Sequence, residues 1–458
     1  MVEIIPSLVS LPITFNTYRM RIFHLLILLL LFCSKTTFSQ TIDIVKLDAY
    51  FKALEDQRLF MGSVAMMKAG KLVYTQSIGY KDLAKQGRSD AQTRFRIGSI
   101  SKTFTAVLIL KAVDEKRITL DDKLSLFYPN ILHADSITIR HLLSHRSGIH
   151  NYTDDSAYLH WYTKSHTDKE MLTIIQQGGS DFMPGSKASY SNANYFLLAC
   201  ILQRLYNQSY DLILTNQIIK PLGLKETMSG NAIRTDRNES HSYSFLSAWV
   251  KQPETHLSVA KGAGSIVSTP SDLVRFADAL FSGRLIRSES LEQMKSMTDG
   301  FGLGLFAIPF FDKQGFGHTG GIDGFSSVFA YFPKDSIAYA LTSNGSNMNN
   351  NDISITALSA IYQKPFDIPV VNAFYPKAEQ LALYEGVYAS ETIPLKITIR
   401  QNGAVLFAQA TGQPAIQMAF DQEHQFSFAK ANLVLVFRLA DHTMLLKQGG
   451  AEVVFRKE

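Results

Sequence analysis

The sequence predicts an α+β protein. An antiparallel sheet flanked by helices, an α/β sandwich, carries a mostly helical inserted region and is followed by a small all-β barrel. Three observations point there. Period-two apolar alternation appears near residue 65 and returns near residue 316, with helical and loop patterns between. A Pro-bounded stretch at 364–376 then separates this part from a run of short alternating segments spaced about ten residues apart. Finally, 458 residues exceed one comfortable core, so two domains are expected.

Taken in order, Ile44 to Leu59 has the apolar spacing of a helix ending before Gly62. Residues 63–67 and 72–76 flank a Lys68-Ala69-Gly70-Lys71 turn and read as a hairpin. An apolar helix follows from Ser99 to about Glu115, and Asp121 to Asp181 is mostly helix and loop with a break at Ser147-Gly148. Tyr190 lies in a loop leading into a helix over Phe196–Leu205, and Ser268-Thr269-Pro270-Ser271-Asp272 caps a helix running to about Leu280. Strands are expected at 316–319, 326–332 and 338–342, the last two joined by a turn at 333–336, and a helix at 353–362. Beyond the linker at 365–376, strands are expected at 386–388, 395–399, 405–407, 426–428, 433–437, 444–446 and 453–455.

With 46% hydrophobic and 19% charged residues, the chain is globular rather than disordered. Residues 1–39 carry Arg19, Arg21 and Lys35 against Glu3, so the formal +5 leaves +3 for residues 40–458 (42 basic, 39 acidic). That charge is small and dispersed, with no basic cluster interleaved with aromatics, so nucleic acid is not an expected partner. Arg19 and Arg21 precede the apolar run 22–33, which is too short to span a bilayer comfortably, and Thr37-Phe38-Ser39 resembles a signal peptidase site. Residues 1–39 are therefore expected to be a signal peptide cleaved before Gln40, giving a periplasmic or secreted protein without a membrane span. A lipid anchor at Cys33 is disfavoured, because Phe32 is bulky where lipoprotein signals want a small residue. The mature chain keeps only Cys200, so its fold is not stapled by an internal disulfide.

Three short motifs carry chemistry. In Ser99-Ile100-Ser101-Lys102, a serine at a helix start sits where the dipole favours a developing alkoxide, and the lysine returns to the same face one turn on. A partly dried amine there sheds its proton near neutral pH and activates the hydroxyl. Taken alone the tetrad is weak, since an N-cap serine with a solvated lysine is the plainer reading. In Tyr190-Ser191-Asn192, a phenol beside a lysine ammonium ionises more readily, takes the serine proton and later passes one on. A surface tyrosine with a turn asparagine is the alternative. In His318-Thr319-Gly320-Gly321, a strand edge puts His318 and Thr319 on opposite faces, and the Gly321 amide pairs with the Ser99 amide as two oxyanion donors. Its alternative is a Gly-rich strand end. His141, His145 and His150 share no spacing with a carboxylate, so a loop-stabilising role is preferred over a metal site.

In order and spacing these motifs resemble those of the serine β-lactamase/penicillin-binding-protein superfamily, nearest its class C β-lactamase-like hydrolases. That branch includes D-Ala-D-Ala carboxypeptidases, esterases and D-amino-acid peptidases. The stretches 141–149, 262–270 and 317–325 add to the likeness, which covers roughly 45–362; the C-terminal segment resembles an appended lipocalin-like domain. The expected organisation is a hydrolase domain at 40–364, a linker at 365–376 and the β domain at 377–458. The resemblance implies acyl transfer through an acyl-enzyme: Ser99 as nucleophile, Lys102 and Tyr190 sharing the base, and the Ser99 and Gly321 amides holding the oxyanion. Asn192 would bind Lys102 and the substrate amide. His318 and Thr319, followed by Gly320, would meet a substrate carboxylate or the Tyr190 hydroxyl. No metal or organic cofactor is implied. The sequence departs from efficient class C β-lactamases at His318, where those carry a lysine that grips a carboxylate. The implied substrate is a small molecule, a short or peptidoglycan-like D-peptide, or an ester. The alternatives are a sensor that acylates without turnover, or a weak β-lactamase. Trp161 and Tyr162 either line the acyl pocket or belong to the core.

Overall fold

Ala69 and Gly70 both adopt positive φ (48° and 73°), so the chain reverses within two residues, as a tight hairpin requires. β1 (Phe60–Lys68) therefore pairs antiparallel with β2 (Lys71–Ile78). The computed structural model describes residues 42–245, 248–369, 378–403, 405–413, 415–428 and 431–458; the expected signal segment and most of the expected linker lie outside these.

The strands expected in the second half are present and longer. β3 (Phe306–Phe310), β4 (Lys313–Ile322), β5 (Phe325–Phe332) and β6 (Ile337–Ser346) follow one another, and β6 pairs with β1 to give one sheet in the order β3-β4-β5-β6-β1-β2. β3 did not stand out in the sequence because Pro309 interrupts it; proline is tolerated there because β3 is an edge strand.

Helices cover both faces of the sheet. On one side, α1 (Ile44–Asp56) stacks Phe51 on Tyr74 of β2, and α5 (Asn350–Ile361) accepts the Tyr339 hydroxyl of β6 at Ser354. On the other side, α4 (Pro270–Phe281) sets Phe276 between Phe329 of β5 and Phe104 of α2 (Ser101–Asp114). Ser101 through Leu110 of α2 are buried all round, as a central helix with little polar surface must be. Each such aliphatic or aromatic side chain contributes roughly 1.5–3 kcal/mol by leaving water. α3 (Asn192–Tyr206) packs beside α2, with Ala193 through Leu202 buried.

Two helix starts differ from expectation. Ser99 lies in a short 3-10 turn (Gly98–Ile100) leading into α2, and α3 begins at Asn192 rather than Phe196, with extended Ser191 before it.

The C-terminal segment closes into an eight-stranded antiparallel barrel: β7 (Gly386–Ala389), β8 (Lys396–Asn402), β9 (Val405–Ala410), β10 (Ile416–Gln422), β11 (Gln425–Phe428), β12 (Leu433–Arg438), β13 (Thr443–Gln448) and β14 (Ala451–Lys457). Tyr388↔Lys457 and Ala389↔Arg456 close it. Seven strands were expected. The eighth is β10, in which Ile416, Met418 and Phe420 alternate with Gln417 and Ala419. The interior is filled, among others, by Tyr388, Phe426, Phe437 and Phe455.

Candidate active site

The cleft is built where α2 meets the end of β4. Gly98 has φ +50°, a left-handed conformation suited to glycine, and a Cβ there would lie 2.7 Å from the Gly321 nitrogen. A Cβ on Gly320 would lie 2.0 Å from the Ile97 carbonyl oxygen. The two glycines thus let the backbone before Ser99 lie directly on β4, and Ser327 Oγ donates to Ile97 O (2.8 Å) to fix that contact. β3 pairs with β4 only as far as Gly317, so the backbone of 318–321 has a strand neighbour on one side only.

Lys102 is completely buried, and its Nζ lies 3.0 Å from Ser99 Oγ, 2.8 Å from Asn192 Oδ1 and 2.8 Å from Ala263 O. The segment carrying Ala263 is held along α2 by Thr105 donating to Gly262 O (2.7 Å) and Ile266 N donating to Ser101 Oγ (3.1 Å). Among the described residues no carboxylate perturbs the lysine, and burial pushes its pKa well below the ordinary 10.5. A neutral amine has two N–H groups and one lone pair. In that form Asn192 Oδ1 and Ala263 O, which only accept, would take both N–H groups and leave the lone pair facing Ser99 Oγ.

The Asn192 amide is oriented by its surroundings. Its Nδ2 donates to Asn151 Oδ1 (3.2 Å) and Thr153 Oγ1 (3.1 Å), its backbone N–H also donates to Asn151 Oδ1 (2.9 Å), and Asn151 Nδ2 donates to the Asp154 carboxylate (2.8 Å). Asn151, Thr153 and the Ala263 carbonyl escaped the sequence reading. They lie far from Ser99 in sequence, and no local pattern marks them. Asn192 does bind Lys102, but both amide hydrogens are already engaged, so it does not present a free donor for a substrate amide.

Tyr190 sits with its ring 4.8 Å from Lys102 Nζ, stacked on His145 with centroids 4.4 Å apart, and its hydroxyl hydrogen-bonds Ser99. The expected easy ionisation is corrected here. Burial raises the phenol's pKa, more than the Ser99 hydrogen bond lowers it. Tyr190 is a neutral phenol.

His145 is buried at positive φ (57°). Its carbonyl accepts from Ser189 N (2.9 Å) and its Nδ1 from Ser191 N (3.1 Å), so it holds the Tyr190 loop from both sides. Burial pushes its pKa well down. His141 Nδ1 accepts from Thr138 N at a helix start, and His150 is flanked by Asp181 and Asp155, which raise its pKa. The three histidines are spent separately.

On β4, Thr319 is exposed and His318 is buried. His318 packs on Phe306 (4.4 Å), and its Nδ1 lies 2.5 Å from Thr319 O. Burial lowers its pKa to about 3. His318 is thus a neutral imidazole, as expected of a histidine whose pKa is not raised, and differs in charge from the lysine of efficient class C β-lactamases.

A cavity of about 370 Å³ opens beside Ser99, Asn192 and Gly321. Tyr162 lines it, whereas Trp161 packs against the main core. Among the described residues no group of His, Cys, Asp and Glu could hold a metal, and no helix is long and apolar enough to cross a membrane.

A sheet between helical layers, with a serine and a buried lysine at its edge, defines a serine hydrolase of the β-lactamase and penicillin-binding-protein type. The chain belongs to the Beta-lactamase family, which it matches over residues 47–363. It is 24% identical over 441 residues to penicillin-binding protein 4* of Bacillus subtilis (strain 168), covering 89% of this chain and 97% of that protein. Among solved structures, a D-amino acid amidase from Ochrobactrum anthropi SV3 superposes with TM-score 0.62 at 26% identity, covering 69% of this chain and 98% of its own. An octameric penicillin-binding protein homologue from Pyrococcus abyssi shares the fold at TM-score 0.65 and 22% identity, over 90% and 100% of the two chains.

Proposed function

We propose that this is an exported hydrolase that cleaves a short peptide, D-amino-acid peptide, amide or ester through an acyl-enzyme on Ser99. The observation that carries this reading is the unpaired, buried Lys102 amine 3.0 Å from Ser99 Oγ. In the forward step the Ser99 proton moves to the Lys102 lone pair as Oγ bonds the carbonyl carbon. The negative oxygen is received by the Ser99 and Gly321 amides. The proton on Lys102 then returns through the Tyr190 hydroxyl to the departing nitrogen or oxygen as that bond breaks. Water repeats the sequence on the acyl-enzyme and frees Ser99. The similarity to a D-amino acid amidase supports an amide of D configuration as one substrate class. The barrel brings no nucleophile–base set and acts as a packing or specificity module.

The test is labelling of the purified full chain with a fluorophosphonate, alongside a turnover panel of 4-nitrophenyl esters, D-peptides and nitrocefin. Wild type should label stoichiometrically and turn over at least one class, and Ser99→Ala should do neither. Labelling without any turnover would favour a penicillin-binding sensor instead. Full activity in Ser99→Ala would reject the assignment.

A further inference from the structure

The cavity beside Ser99 differs in chemistry from a site that holds an anion. Three tyrosines of the inserted region, Tyr152, Tyr158 and Tyr162, line it together with Leu159, Val259 and Ile322. The polar end of Tyr152 is occupied, its hydroxyl donating to Val259 O (2.6 Å). Tyr158 lies 6.2 Å from Tyr152 and 5.5 Å from Tyr162, centroid to centroid, so the rings form one continuous aromatic wall.

Among the described residues no lysine, arginine or histidine lines the cavity. Its one charged lining residue is Asp323, whose oxygens accept from Thr255 N (2.9 Å), Thr255 Oγ1 (2.6 Å) and Arg96 Nη1 (3.0 Å). The cation that contacts this aspartate, Arg96, is already paired with Asp323 and Glu254. His318, on the strand edge, is turned inward against Phe306. A carboxylate entering here would shed its water and meet an aspartate with no compensating cation. A ring or branched alkyl group would exchange water for aromatic surface.

We propose that this cleft selects substrates with an aromatic or bulky apolar acyl group and no carboxylate near the scissile bond. Amides and esters of that kind are its substrates, rather than peptides ending in a free carboxylate one residue beyond the cleaved bond. The proposal rests on the acyl-enzyme reading above. A cavity of about 370 Å³ stands at the small end of ligand clefts, room for one such group rather than an extended chain.

The test is kcat/KM of the full chain on 4-nitrophenyl phenylacetate, acetate and hemisuccinate, with uncatalysed hydrolysis subtracted. An N-acetyl-D-phenylalanyl-D-alanine pair, as free acid and as carboxamide, probes the leaving side. Phenylacetate should exceed hemisuccinate by roughly thirtyfold or more, and the carboxamide should exceed the acid by roughly tenfold. Tyr158→Ala should lower the phenylacetate-to-acetate ratio of kcat/KM about tenfold. Ile322→Lys should raise hemisuccinate relative to phenylacetate. Equal or better turnover of the carboxylate members overturns the proposal while leaving the acyl-enzyme intact. Absence of ester turnover together with absence of fluorophosphonate labelling rejects the acyl-enzyme reading, and the proposal with it.

Discussion

Lys102→Met separates the resting charge of the lysine from its part in the chemistry. The side chain is completely buried, and desolvation alone holds its pKa well below 10.5. In the unfolded chain the same amine titrates near 10.4. Between the depressed folded value and that ordinary value, the unfolded state binds one proton more than the folded state. Stability of the wild type therefore rises with pH in this window, by about 1.4 kcal/mol per unit, and is lost as pH falls through it. Methionine removes that slope. It also leaves Asn192 Oδ1 and Ala263 O without their donor, a loss of about 1–3 kcal/mol for each that does not depend on pH. Both tryptophans, Trp161 and Trp249, lie before the barrel, so urea unfolding followed by their fluorescence reads the hydrolase domain. The variant should lose about 10²- to 10⁴-fold in kcat, as expected for a missing general base, and its stability should be flatter with pH by the slope above. Parallel wild-type and variant stability curves between pH 7.5 and 9.5 would mean that Lys102 rests as an ammonium, and the reasoning would fail.

Three further outcomes follow from the same geometry. Tyr190→Phe keeps the ring on His145 and removes the hydroxyl, so kcat should fall about 10²- to 10⁴-fold while unfolding free energy moves by only about 1 kcal/mol; a collapse in stability with intact kcat would contradict this. His318 and His145 are both buried and neutral, with His318 titrating at about 3. Their contribution is complete above pH 6.5 and is lost as pH falls from there toward 3, at up to about 1.4 kcal/mol per pH unit each, because the unfolded imidazoles protonate first. His145→Asn should therefore give a shallower acid limb of melting temperature, and an unchanged limb would count against the buried neutral state. Gly320→Ala places a methyl 2.0 Å from Ile97 O and 2.5 Å from Ser327 Oγ, so it should cost about 2 kcal/mol or more and remove activity; a wild-type melt and rate would show that β4 does not press on the Ser99 segment as described.

Much of this site was legible in the chain, for reasons that can be named. Ser99 and Lys102 are three residues apart at a helix start, so local geometry alone brings them together. The alternation within 326–332 marked one strand, and the mostly apolar run at 338–342 marked another that is buried on both faces. The pairing of β6 with β1, which places β4 across from α2, joins segments nearly the whole domain apart and leaves no local signature. The state of Tyr190 was misjudged for a related reason. Burial, a property of the assembled fold, raises the phenol's pKa more than its hydrogen bond to Ser99 lowers it. Asn151 and Thr153 matter only because they orient Asn192, a relation visible only once the three share a wall. β10 escaped even though Ile416, Met418 and Phe420 alternate with Gln417 and Ala419, and closure of the barrel reveals it as a strand.

The most direct measurement is rapid-quench mass spectrometry of the full chain mixed with 4-nitrophenyl phenylacetate, followed by peptide mapping. A phenylacetyl mass increment on the peptide containing Ser99, formed within the first turnover and absent from Ser99→Ala, is the expected result. Turnover without an adduct on that peptide, or an adduct on another residue, would contradict the acyl-enzyme at its centre.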